Sequence, residues 1–187
     1  MWGIVASAFL LGVAGLRLPF KASSGSVDRD GEDVRIGLAI TLGATGFYLF
    51  ITGLSISIRW PFAIAGGAYN VLFGGSASLA GLVLLTASAS LFLNQGLKIV
   101  SYFAVILGLY LVVDAASILH YGLTAEPPLS SAFFLAPAIV AFLSIPAFHT
   151  DNKWLRWIFA AAAFLFAILW LYVAANTTWG HLATPAK

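Results

Sequence analysis

The 22 residues from Ile99 to His120 read IVSYFAVILGLYLVVDAASILH, and Asp114 is the one acidic or basic side chain among them when His is counted neutral. A helix of this length covers about 33 Å, enough to cross the roughly 30 Å of hydrocarbon in a bilayer. A helix on the surface of a soluble domain has one polar face. Here the apolar residues go all the way round, so the stretch predicts a membrane-spanning helix.

The pattern recurs outward from it. Further apolar runs extend from Trp2 to Phe20, Ile36 to Ile58, Val71 to Leu93, Leu129 to Phe148 and Trp157 to Asn176. With the first run they make six in a chain of 187 residues. Backbone N–H and C=O groups must be paired inside lipid, so only helices or closed barrels can span it. Barrel strands need about ten residues of apolar/polar alternation, which these runs lack. The expected fold is an all-α membrane protein: one domain, a bundle of six transmembrane helices.

Composition agrees. Hydrophobic residues make up 61% of the chain and charged residues 9%, against roughly 25% charged in soluble domains. The mean hydropathy is +0.98. There is no cysteine, which excludes disulfides and thiolate metal sites. No basic patch is large enough for nucleic acid. The first run has Arg17 and Lys21 after it and no basic residue before it, the order of a retained span rather than a cleaved signal.

Basic residues set the orientation. Arg17, Lys21, Arg29, Arg35, Lys98, Lys153 and Arg156 fall in the loops after spans one, three and five, while only Arg59 and Lys187 fall on the other side. The positive-inside rule puts those three loops in the cytoplasm and both termini outside. A prokaryotic plasma membrane is the expected location, with lipid as the first partner and other membrane subunits or a second copy as further ones.

Small residues recur at helical spacing: Ala39, Gly43, Gly46, Gly53 and Ser57; Gly74, Ser78, Gly81 and Ser88; Ser101, Ala104, Gly108 and Ala115; Ala160, Ala163, Ala167 and Ala174. Such stripes let membrane helices approach closely. They predict a tight bundle, or else a narrow pore. Pro137, in the middle of span five, predicts a kink. Trp170, mid-span, predicts packing between helices.

A carboxyl group in the bilayer costs free energy, so Asp114 is the leading polar candidate. Tyr110, Ser117 and Tyr121 lie on its face and can hydrogen-bond it. The group reads as a proton-relay or pore-lining site, or as a satisfied carboxyl that locks packing. A second cluster is expected at the outer face from His120, His181, Glu126, Tyr69 and Asn70. Its two histidines are weak candidates to ligate a divalent metal or a haem, although no cofactor is predicted outright. His149 reads as a solvated loop residue. The acids from Asp28 to Asp33 lack the ligand order of a calcium loop and read as a solvated turn.

The stretch GLSISIRWPFAIAGGAYNVLFG, from Gly53 to Gly74, is the most distinctive in the chain. Trp60-Pro61 ends one span, Tyr69-Asn70 opens the next, and Phe73-Gly74 lies just inside it. Asn70 is placed to cap that helix. With the later Trp179-Gly180-His181, this pattern resembles a family of small six-span prokaryotic membrane proteins known only as a domain of unknown function. The resemblance implies a fold and a membrane location and no activity. A non-catalytic accessory or assembly subunit of a membrane complex ranks first among the functional readings. A channel or facilitator for a small solute is the alternative, and a haem- or metal-binding redox protein is third.

Overall fold

The computed structural model describes residues 1–17, 29–63 and 67–183. The chain forms α1 (Trp2–Arg17), α2 (Arg29–Arg59), α3 (Ser76–Phe92), α4 (Lys98–Tyr121), α5 (Pro127–His149) and α6 (Lys153–Ala183). A π-helical turn, Asn70–Gly75, leads directly into α3. Among the described residues there is no strand.

Five helices are long and apolar enough to cross a membrane; α1 is apolar but shorter. The first run was expected to stay helical to Phe20. Its helix ends at Arg17, and 18–20 lie outside the described residues. The second starts earlier than Ile36: Arg29 to Arg35 contain no proline, and the helix runs through Gly31 despite its low propensity. The acids Asp30, Glu32 and Asp33, read as a turn, lie in its first turns instead, where the helix dipole favours negative charge. Asp28 lies outside the described residues.

Each helix packs on its neighbours in sequence, and α1 returns along α6 to close a ring. The tightest pairs are α2/α3, α4/α5 and α1/α6. The small-residue stripes form these seams. Between α2 and α3, a Cβ on Gly46 would meet the carbonyl oxygen of Gly81 at 3.0 Å, and one on Gly74 would meet the Ser57 hydroxyl at 2.5 Å. The Ser88 hydroxyl crosses this seam to the Ala39 carbonyl at 2.6 Å. Gly108 of α4 faces Ala141 and Phe142 of α5. Gly15 of α1 faces Phe159 and Ala160 of α6. Large apolar side chains such as Phe47, Ile106, Val113, Leu165 and Ile168 remain exposed around the ring. That outer surface suits hydrocarbon, so the molecule is a multi-pass membrane protein.

Polar residues tie the two ends. At the end where α2, α4 and α6 begin, the Arg35 guanidinium bonds the carbonyls of Leu91 and Phe92 at the end of α3, a favourable position for a cation. His149 is not a loop residue. It sits in the last turn of α5, 3.0 Å from the Ser101 hydroxyl and 3.1 Å from the Lys98 carbonyl, linking α5 to α4. At the other end, Trp60 leaves α2 with φ of 49° and Gly67 has φ of 86°. Gly67 is required there: a Cβ would strike the Trp60 indole.

Candidate functional site

The ring surrounds a partly open cavity of about 160 Å³. Every helix contributes to its wall. Ile4, Ala8 and Leu11 come from α1, Leu49 from α2, Ala77, Ala80 and Leu84 from α3, Val100, Leu107 and Leu111 from α4. Phe133, Phe134, Pro137 and Phe148 come from α5, and Phe159, Phe166 and Trp170 from α6. The π-turn adds Phe73. From Leu97 to Leu111 the wall follows α4 for roughly 20 Å at 1.5 Å per residue.

The hydroxyls of the wall do not make it polar. Ser7 donates to the Gly3 carbonyl at 2.7 Å, Ser101 to Lys98 at 2.7 Å and Ser144 to Ala141 at 2.5 Å, while Ser76 bonds the Leu72 carbonyl. Each proton is spent on its own helix. What faces the cavity is hydrocarbon and aromatic ring.

Pro137 shapes one side. It has no N–H for the carbonyl of Phe133, four residues earlier. The indole N–H of Trp170 donates to that carbonyl instead, at 3.2 Å. Trp170 is buried between α5 and α6, as its mid-span position predicts, and forms part of the cavity wall.

At the end of the bundle opposite Arg35, Asn70 is fully buried. It does not cap the helix it opens. Its side chain reaches back, accepting the Phe62 N–H at 3.0 Å and donating to the carbonyls of Phe62 at 2.6 Å and Gly67 at 3.1 Å. The Tyr69 hydroxyl donates to the Leu123 carbonyl at 2.8 Å, joining this hairpin to the α4–α5 loop. The Phe73 ring lies 5.7 Å from Tyr69 and 5.9 Å from Phe134. Pro61 is exposed, and Trp60 is half exposed.

Asp114 is buried at 4% exposure, and among the described residues its Oδ2 has no hydrogen-bond partner. The hydroxyls on its face turn elsewhere: Tyr110 to the Val71 carbonyl at 3.2 Å, Ser117 to Val113 at 2.8 Å. Tyr121 is exposed, with its ring 4.6 Å from that of His120. His120 and Glu126 are exposed. The side chain of His181 lies outside the described residues. Among the described residues no three of His, Asp and Glu gather as a metal-binding group.

Sequence reasoning missed the aromatic wall. Seven rings on three elements meet only when the ring of helices closes, and no spacing within one helix signals that.

Fold and site together define a class: a multi-pass helical membrane protein with an apolar cavity at its centre. Within that class, the chain belongs to the family described as Protein of unknown function (DUF981), whose model matches residues 1–184. No curated protein and no solved structure matches the chain.

Proposed function

We propose that the protein is a six-span bundle of the prokaryotic plasma membrane, with both termini extracytoplasmic, that binds a small solute in its central cavity and facilitates its passage. The cavity carries this reading. Close-packed interiors leave few voids larger than a water molecule, and this one is about 160 Å³. A bundle serving only as an assembly subunit gains nothing from such a void, so the facilitator reading moves ahead of the accessory one. An apolar cavity of about 150 Å³ stays dry and takes up benzene, so the occupant has an apolar body of about that size. A wholly apolar molecule crosses lipid unaided, so passage through a protein matters for one that also carries a polar group.

Two observations support α1 as the sixth span. Ala8 and Ala14 are fully buried where α1 completes the ring. Its 16 residues reach about 24 Å, and a bilayer thins around a short span at modest cost. Binding of toluene to the protein in nanodiscs, corrected for empty nanodiscs, tests the cavity. Wild type takes up toluene in excess of lipid, and Ala80→Phe, which fills the wall, abolishes the excess while circular dichroism is unchanged. No excess in wild type, or an equal excess in folded Ala80→Phe, overturns the reading.

A further inference from the structure

The cavity is long and narrow. Its wall runs from Leu97 to Leu111 on α4, from Phe133 to Phe148 on α5 and from Phe159 to Trp170 on α6. At 1.5 Å per residue these stretches cover roughly 15–25 Å. About 160 Å³ drawn out over that length is a slot along the bundle axis. A ring of benzene size fills part of it, while a straight hydrocarbon chain fills it lengthwise.

The two ends of the slot differ in charge. At the end where α4 and α6 begin, the Arg156 guanidinium lies 5.9 Å from the ring centre of Phe148. Phe148 packs against Phe159 with ring centres 5.1 Å apart, and both rings line the slot. Arg156 also begins the inward face of α6: Phe159, Ala163, Phe166 and Trp170 follow it at steps of three and four and are buried with it. At 7% exposure it is the one buried cation among the described residues. Lys98 and Lys153 are exposed at the same end, and Asp151 is the acid of the α5–α6 connection. Toward the other end, the buried charge-bearing residue is an acid, Asp114, three positions past Leu111. Exposed charges are screened by salt, whereas buried ones act at low dielectric, so Arg156 and Asp114 set the polarity of the slot. An anionic group is favoured at the Arg156 end and opposed at the other, and the planar guanidinium matches a carboxylate. We propose that the solute is a straight-chain carboxylate of medium length, with its chain in the slot and its carboxylate at the Arg156 end. This rests on the cavity reading above and names the polar group that reading requires. It also gives passage a purpose, because lipid opposes a charged carboxylate.

Octanoate tests it in the nanodisc assay at neutral pH against two comparators, octylamine, which reverses the charge, and dipropylacetate, the branched isomer of octanoate. Toluene checks the cavity itself. Corrected for empty nanodiscs, wild type binds octanoate about tenfold or more tightly than either comparator, as a charge-assisted hydrogen bond provides. Arg156→Gln removes the preference over octylamine and leaves toluene binding unchanged. Ala80→Phe abolishes octanoate binding together with toluene binding. Toluene bound in wild type, with octanoate no tighter than either comparator, overturns the carboxylate inference and leaves the cavity standing, whether or not Arg156→Gln folds. So does a preference over octylamine that persists in folded Arg156→Gln, or octanoate binding that persists in folded Ala80→Phe. If toluene does not bind in excess of lipid, the cavity reading itself fails.

Discussion

Pro137 leaves the Phe133 carbonyl without its helical donor, and the Trp170 indole replaces that donor from another helix. The two residues therefore act as one feature, and a double-mutant cycle measures it. Trp170→Phe keeps a ring in the wall and strands the carbonyl, at a cost of about 1–3 kcal/mol. Pro137→Ala restores a backbone N–H to the same carbonyl. In that background Trp170→Phe costs less, by about 1 kcal/mol, and unfolding in SDS micelles reads the difference. Additive losses would separate the two residues. The sequence marks a kink at Pro137 and a packed ring at Trp170. It cannot link them, because the link depends on how α5 and α6 are rotated about their axes. Asn70 makes a parallel case. Its type and position suit a cap, but the Phe62 and Gly67 backbone claims the side chain. Asn70→Asp keeps an acceptor and loses both N–H donors, so it destabilises by about 2 kcal/mol or more in the same assay, although aspartate is as good a capping residue.

The seams between helices were largely legible, because small residues at intervals of three, four and seven have little other use in a membrane helix. The stripes on α2 and α3 meet each other, and the one on α4 meets α5. What spacing cannot supply is the partner: nothing in the stripe of α6 names α1, at the far end of the chain. The same substitution has opposite effects according to the seam. At Gly81 a Cβ would meet the backbone of Phe50, and it would lie 2.7 Å from the Gly46 carbonyl oxygen. Neither is a side chain that can swing away. Gly81→Ala therefore forces α2 and α3 apart and costs about 1–3 kcal/mol. Gly37, on the open side of α2, has nothing within 4 Å of its added Cβ. Gly37→Ala stabilises by up to about 1 kcal/mol through helix propensity alone. Equal effects of the two substitutions would mean that the seam is looser than its geometry.

At the scale of the whole molecule, the membrane fold follows from scarcity of charge, but the cavity does not follow from sequence. Leu107 faces the cavity and Leu109 is 57% exposed to the outside. Both are leucines two residues apart on one helix, and hydrocarbon lies on either side of the ring, so composition cannot tell inward from outward. Charge remains the guide to orientation, and the chain is well suited to a direct check because it contains no cysteine to remove. Gln95, Glu126 and Asp151 are exposed at helix connections, and Glu32 is exposed near the start of α2. With both termini outside, an impermeant maleimide applied to intact cells labels Glu126→Cys at once. It labels Glu32→Cys, Gln95→Cys and Asp151→Cys only after permeabilisation. A tag fused ahead of Met1 is reached by antibody in cells with the outer layers removed and the plasma membrane intact. Complete reversal of this pattern overturns the orientation and leaves the fold. The sharper comparison is the tag against Glu32→Cys, which flank α1. Opposite sides make α1 a true span despite its 16 residues. The same side leaves five crossings, and α1 then closes the ring of helices without traversing the bilayer.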